Sequence, residues 1–115
     1  MTDGDDIEVQ QQTQGEALIL TPIGEIDLSR APALRTHLGA ALKTGPRRLV
    51  IDLKQVPYMD SSGVATFVEA MQLARRADSE LILCGLQDRV RSVFEIARLD
   101  MVFKILTDTE EALAT

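Results

Sequence analysis

The fold of this chain is decided by residues 56–64, which read Val-Pro-Tyr-Met-Asp-Ser-Ser-Gly-Val. Residues 49–53, which precede this stretch, form a short and almost wholly apolar run, and such a run predicts a buried strand. After them Val64, Phe67, Val68 and Met71 recur at helical spacing, which predicts an amphipathic helix. The polar tetrad at 60–63 therefore lies on a turn from strand to helix, where backbone N–H groups lack partners and the helix dipole is positive.

Two hydroxyls and a carboxylate at a helix N-terminus form either a helix cap or a reactive site. In the first interpretation Asp60 simply caps the helix. A nucleophilic serine would need a base, and the one histidine, His37, is predicted in the middle of another helix. The tetrad also differs from the Gly-x-Ser-x-Gly elbow of hydrolases. We therefore predict no catalytic residue and no enzymatic activity.

Composition limits the class of partner. The chain has 115 residues, the length of one domain, and 45% of them are hydrophobic. Its net charge of −6, from 18 acidic and 12 basic residues, argues against nucleic acid or an anionic membrane as the main partner. No apolar run approaches the roughly 18 residues that cross a bilayer, so no direct membrane insertion is expected.

The single cysteine and single histidine of this chain exclude further classes of protein. One cysteine, Cys84, cannot form an internal disulfide, which favours a cytoplasmic location. With His37 as the one histidine, no His/Cys metal cluster is expected. No glycine-rich phosphate loop occurs, so no cofactor is predicted. Residues 1–6 are acidic, lack the features of a signal peptide and are predicted to form a disordered tail before a domain at 7–115.

Hydrophobic periodicity predicts nine elements. Strands are expected over residues 7–14, 17–23, 49–53, 81–84 and 102–106. Helices are expected from a cap at Asp27 or Ser29 to about Thr44, and over residues 61–76, 87–98 and 107–114. The order ββαβαβαβα predicts a single α/β domain with a mostly parallel five-stranded sheet, an antiparallel edge strand and about four helices.

Three loops follow strands of this predicted sheet, at residues 24–27, 58–63 and 85–87. In open α/β sheets the carboxyl ends of parallel strands meet at one edge, and sites form there. We therefore expect these loops to gather into one rim.

The order of elements and two motifs resemble the STAS domain of bacterial anti-sigma factor antagonists. The motifs are Gly24-Glu25-Ile26-Asp27 after the second strand and Met59-Asp60-Ser61-Ser62-Gly63. Residues 90–94 and 99–103 also look like the family's third helix and last strand. The resemblance covers the chain from about Ile7 to Ala114.

This resemblance implies partner switching. An unphosphorylated antagonist of the family binds an anti-sigma factor that is also a serine kinase of the histidine-kinase-like ATP fold, and a sigma factor is freed. The kinase phosphorylates the serine after the motif's aspartate, which corresponds to Ser61, with Ser62 as second choice. The phosphorylated form is released, and a serine phosphatase resets it. The implied partner-binding rim consists of Glu25, Asp27, Tyr58, Asp60, Ser61, Ser62 and Gly63.

Simple electrostatics agree with that role. A phosphate on Ser61 would add about −1.5 to −2 charges beside Glu25, Asp27 and Asp60. The helix N-terminus could hold the phosphate, so release is expected to act through repulsion at the interface without refolding. At Gly63 the missing side chain is expected to let a partner's backbone come close.

Two features of this sequence depart from the family pattern. Arg98 stands where the family often has glycine, and the first strand is rich in glutamine, so its edge could pair with another chain, making a homodimer possible. The alternative function is a structural STAS docking subunit of an ABC lipid-transport system or a stress-sensing assembly, in which the serine is not phosphorylated. The intact Asp-Ser-Ser-Gly favours the antagonist.

Overall fold

Five strands form one sheet in the order β1-β2-β3-β4-β5, in a computed structural model that describes residues 6–114. Strand β1 (Glu8–Gln14) pairs antiparallel with β2 (Ala17–Ile23). Strands β3 (Arg48–Asp52), β4 (Glu80–Cys84) and β5 (Lys104–Leu106) then add in parallel. The predicted antiparallel edge strand and parallel remainder are confirmed.

The helices lie between or after the parallel strands, in the predicted order ββαβαβαβα. They are α1 (Ala31–Lys43), α2 (Ser61–Arg76), α3 (Asp88–Ile96) and α4 (Thr109–Ala114). The α/β fold class is therefore confirmed. The tail predicted at residues 1–6 falls mostly outside the described residues. Asp6 is described, and one of its carboxylate oxygens accepts a hydrogen bond from the Ile7 amide at 2.8 Å.

Both faces of the sheet are covered, which explains why its inner strands are apolar without alternation. On one face Leu34 of α1, Phe67 of α2 and Phe94 of α3 are fully buried against the strands. On the other face Val50 of β3 and Ala112 of α4 belong to a smaller cluster. Burial of each large apolar side chain contributes about 1.5–3 kcal/mol, so the larger cluster dominates the stability.

The predicted start of α1 needs correction. Helix α1 begins at Ala31 after Arg30, and neither Asp27 nor Ser29 caps it through its side chain. Instead one Asp27 carboxylate oxygen accepts hydrogen bonds from the Ser29 and Arg30 amides and from the Ser29 hydroxyl. Asp27 thus stabilises the turn that leads into the helix, because short acidic side chains bond readily to nearby backbone N–H groups.

The segment between α3 and β5 also differs from the prediction. Helix α3 ends at Ile96, Arg98 adopts a left-handed conformation with φ +61°, and a 3-10 turn follows at Leu99–Met101. The amides of Val102 and Phe103 both bond to the Leu99 carbonyl oxygen, so these residues lie outside strand β5. Ala97, which lies within the predicted helix, follows its observed end and is exposed.

No helix within residues 6–114 is both long and apolar enough to cross a membrane.

Candidate functional site

The loop after β2 is fastened to the loop after β3. The Gly24 amide donates to the Gln55 carbonyl oxygen at 3.0 Å, and the Ile26 amide donates to the Tyr58 carbonyl oxygen at 3.0 Å. The Asp60 amide returns a bond to the Ile26 carbonyl oxygen at 3.1 Å. These bonds place the acidic 24–27 segment directly beside the tetrad.

The loop after β4 completes the rim. The Gln87 side-chain amide donates to the Lys54 carbonyl oxygen at 2.8 Å, and the Leu53 amide donates to the Cys84 carbonyl oxygen at 2.8 Å. These bonds tie the loop to the segment between β3 and the tetrad. The three loops expected at the carboxyl ends of the strands therefore do meet at one edge.

Asp60 caps helix α2, as the sequence predicts. Its carboxylate accepts hydrogen bonds from the Ser62 amide at 2.9 Å and the Gly63 amide at 3.4 Å, and from the Ser62 hydroxyl. The Ser62 hydroxyl, the amides of Ser62 and Gly63 and the Leu28 amide together lower the pKa of Asp60 below its ordinary value of 3.8, against partial desolvation. Asp60 is therefore ionised at neutral pH.

The two serines of the tetrad have different environments. Ser62 is half-buried, and its hydroxyl is used in the cap with Asp60. Ser61, the first residue of α2, is exposed, and its hydroxyl has no hydrogen-bond partner among residues 6–114. An incoming enzyme could thus reach the Ser61 hydroxyl without first breaking a contact of the fold.

Gly63 is buried, which corrects the predicted reason for a glycine there. A Cβ atom at this position would lie 2.5 Å from Cγ of Met59 and 2.8 Å from Cγ2 of Ile26. Both neighbours are at most 1% exposed, so neither has room to move away. The glycine lets α2 start close to its own strand ends, rather than admitting the backbone of a partner.

Two exposed apolar side chains border the tetrad. Tyr58, which the sequence placed on the rim, is 43% exposed. Leu28 is 75% exposed, and its amide is close enough to the Asp60 carboxylate to help lower the pKa of that group. The sequence did not mark Leu28 as a site residue, because its apolar side chain continues the spacing of the buried face at Ala31 and Leu34.

The charge of the rim is negative. Glu25 is exposed at its edge, and Asp27 and Asp60 lie partly exposed within it. The Ser29 hydroxyl is the main group that lowers the pKa of Asp27, with smaller effects from the Ser29 and Arg30 amides and the Arg30 charge, while desolvation opposes them. Both aspartates therefore present ionised carboxylates beside Ser61.

The residues set aside by the sequence analysis lie elsewhere. His37 is partly buried in α1, as predicted for a helical histidine. Cys84 is fully buried, as predicted for a core thiol, and burial raises its pKa to about 12. Within residues 6–114, no group of three His, Cys, Asp or Glu side chains is arranged to hold a metal ion.

Comparison with known proteins agrees with this architecture. The model of the STAS domain family matches residues 8–112. The anti-sigma-B factor antagonist of Staphylococcus aureus is 30% identical over 104 residues, covering 90% of this chain and 96% of that protein. The chain therefore belongs to the STAS domain family, and its relatives include anti-sigma factor antagonists.

Solved structures show the same fold. An anti-sigma factor antagonist from Mycobacterium paratuberculosis superposes with a TM-score of 0.87 at 24% identity, covering 99% of this chain and 97% of that one. The Bacillus cell fate determinant SpoIIAA in its phosphorylated form superposes with a TM-score of 0.71 at 22% identity, covering 93% and 97%. At these identities the likeness concerns the fold.

Proposed function

We propose that this chain is a cytoplasmic anti-sigma factor antagonist that works by partner switching and has no catalytic activity of its own. Unmodified, it binds an anti-sigma factor that is also a serine kinase of the histidine-kinase-like ATP fold. Phosphorylation of Ser61 releases it, and a serine phosphatase restores it. The observation that carries the proposal is the exposed Ser61 hydroxyl at the start of α2, left free by a cap that uses Ser62 instead.

The relatives support this assignment. The matching Staphylococcus aureus protein is named as an anti-sigma-B factor antagonist, and SpoIIAA, which shares the fold, has been solved in a phosphorylated form. The tetrad of this chain has a serine directly after an aspartate at a helix N-terminus, the position that the family resemblance implies for phosphorylation.

Phosphate on Ser61 would change the charge of the rim more than its shape. It adds about −1.5 to −2 charges next to the Asp60 carboxylate, which already occupies the amides of Ser62 and Gly63. Because the Ser61 side chain supports no contact of the fold among the described residues, the helix needs no rearrangement to accept the group. A partner surface fitted to the unmodified rim would instead meet new negative charge and lose its fit.

The partner would contact a small surface with an apolar centre and an acidic border. Leu28 and Tyr58 supply exposed apolar area beside Ser61, while Glu25 and Asp27 supply charge. Interfaces of this type obtain most of their affinity from a few buried anchors, with charges that steer the encounter. Because tyrosine is enriched among such anchors, we expect Tyr58 to be an anchor of the complex, with Leu28 adding apolar area beside it.

Phosphorylation in vitro followed by mass spectrometry tests which residue is modified. Wild type, Ser61→Ala and Ser62→Ala would each be incubated with ATP and each candidate serine kinase of the host, with circular dichroism as a check of folding. We expect one phosphoryl group on wild type and on Ser62→Ala, and none on Ser61→Ala. Modification of Ser62 would contradict the assignment of the site. No modification by any kinase, with copurification of a transporter or stress-sensing assembly, would favour the docking subunit.

A further inference from the structure

Two turns at the rim repeat the same pattern of side-chain hydrogen bonds. In the first, one carboxylate oxygen of Asp27 accepts bonds from the Ser29 amide at 3.1 Å, the Ser29 hydroxyl at 2.8 Å and the next amide at 3.2 Å. In the second, one carboxylate oxygen of Asp60 accepts bonds from the Ser62 amide at 2.9 Å, the Ser62 hydroxyl and the next amide at 3.4 Å. Each aspartate thus holds the serine two positions ahead of it.

The backbone of the two turns matches as well. In each turn the amides three and four residues after the aspartate bond to that aspartate's own carbonyl oxygen. These bonds measure 3.1 and 2.9 Å after Asp27, and 3.1 and 3.2 Å after Asp60. A parallel bridge pairs Ile26 with Met59, the residues that precede the two aspartates. The turns therefore lie side by side and run in the same direction.

The residue between the aspartate and the held serine is open to solvent in both turns. Leu28 takes this position in the first turn and is 75% exposed, although its side chain is apolar. Ser61 takes it in the second turn and is exposed, with no hydrogen-bond partner for its hydroxyl among the described residues. Because two unlike side chains share this exposure, the turn itself decides which position is presented to a partner.

We infer that Asp60 is a positioning residue that selects which serine of the tetrad is phosphorylated, an inference that rests on the proposed function. In the transfer, the serine oxygen bonds to the γ-phosphorus of ATP, ADP leaves, and the hydroxyl proton passes to a base of the kinase. Ser62 is half-buried and its hydroxyl is held by the Asp60 carboxylate, so this bond must break before the oxygen can turn to ATP. A hydrogen bond to a charged group disfavours such a release by about tenfold or more. Ser61 needs no such step.

Phosphorylation kinetics in a Ser61→Ala background test the selection. Each variant is incubated with ATP and the kinase that modifies wild type, and any phosphoryl group is located by fragmentation of the modified peptide. We expect Ser61→Ala to stay unmodified, and Asp60→Ala with Ser61→Ala to be modified on Ser62 at least about tenfold faster. Asp60→Asn with Ser61→Ala should stay unmodified, because asparagine keeps an oxygen acceptor and is an equally good N-cap.

Phe67→Leu with Ser61→Ala separates loss of selection from loss of stability. Phe67 is fully buried in α2, so the smaller leucine weakens the packing of this helix while the bonds of the cap remain. This variant should stay unmodified. Modification of Ser62 in Ser61→Ala alone would mean that the carboxylate activates the hydroxyl instead of withholding it. That result, or equal rates on Ser62 with and without Asp60, would overturn the inference.

Side-chain rotamers measured by NMR decide the same question without a kinase. The vicinal Hα–Hβ couplings should show one χ1 rotamer for Ser62 in wild type and rotamer averaging in Asp60→Ala, whereas Ser61 should average in both proteins. Averaged couplings of Ser62 in wild type would overturn the inference. If no kinase modifies wild type, the proposed function fails, and the couplings still decide whether Asp60 holds Ser62.

Discussion

At the scale of single residues, the Asp60 carboxylate is the group on which the start of α2 depends. It accepts bonds from two backbone amides and one hydroxyl of the first turn. Replacement of an N-cap by alanine costs about 0.5–2 kcal/mol. We predict that Asp60→Ala lowers the free energy of unfolding by about that amount at neutral pH, measured by chemical denaturation.

The same bonds make this loss depend on pH. The pKa of Asp60 lies below 3.8 in the folded chain. A carboxyl group with a lowered pKa stabilises the fold above its ordinary pKa and loses that contribution as the pH falls through the folded value. The difference between wild type and Asp60→Ala should therefore shrink below about pH 4. Asp100→Asn is the control, since this exposed side chain has no hydrogen bond among residues 6–114. A difference that stays constant with pH would contradict the cap.

Replacing each of the two serines should have clearly different effects on the free energy of unfolding. Ser62→Ala removes a hydrogen bond to a carboxylate and should cost about 1 kcal/mol, whereas Ser61→Ala should change stability by less than about 0.5 kcal/mol. Thermal and urea unfolding of the two variants side by side would measure this. The reverse order would show that Ser61, not Ser62, completes the cap.

The local sequence was sufficient to predict the Asp60 cap but not the reason for a glycine at position 63. Asp60 bonds to residues two and three positions ahead, so its role follows from the spacing. Position 63 requires a glycine because Ile26, from another loop, leaves no room for a Cβ atom there, and no local pattern reveals that contact. Leu28 was missed for a similar reason, because its exposure depends on where the two loops meet.

At the scale of elements, the entry into α2 should tolerate no added carbon. We predict that Gly63→Ala destabilises the fold by about 1–3 kcal/mol, because its Cβ would overlap Met59 and Ile26. Gly39→Ala in α1 is the matched control, since nothing lies within 4 Å of the added atom there. It should stabilise the chain by about 0.5–1 kcal/mol through helix propensity. Equal effects of the two changes would contradict the close approach at α2.

The turn after α3 carries strain that glycine would relieve. Arg98 has φ +61°, a conformation that costs a non-glycine residue about 1–2 kcal/mol. We predict that Arg98→Gly raises the free energy of unfolding by up to about 1 kcal/mol, less than the strain because glycine also gains freedom in the unfolded chain. Arg91→Gly inside α3 should lower it by about 1 kcal/mol. Differential scanning calorimetry of both variants would show a loss for Arg98→Gly if the turn were relaxed.

This turn also marks where prediction of the elements failed. Helix α2 was predicted to the residue, because a cap begins it and two arginines end it. Helix α3 and strand β5 were each predicted too long. The left-handed Arg98 ends the helical pattern without a glycine to signal it, and the following 3-10 turn uses apolar residues that resemble a strand.

At the scale of the whole molecule, the order of elements was sufficient to predict a mostly parallel sheet with an antiparallel edge strand. Alternating strands and helices permit few arrangements of a parallel sheet, so the rim could be predicted before any contact was known. The exposed apolar surface at the end of the molecule opposite the rim could not be predicted. Its exposed apolar residues Met101 and Val102 come from the misjudged segment between α3 and β5, and their exposure depends on how that segment turns.

In the proposed switch, the charge on Ser61 controls binding at the rim. Titration calorimetry with the host's anti-sigma factor kinase would compare unphosphorylated wild type, wild type phosphorylated at Ser61, and Ser61→Ala. We predict that Ser61→Ala binds like unphosphorylated wild type. The phosphorylated chain should bind at least about tenfold more weakly, a loss of about 1.4 kcal/mol. Equal affinities for the two forms, with phosphate verified on Ser61, would contradict the claim.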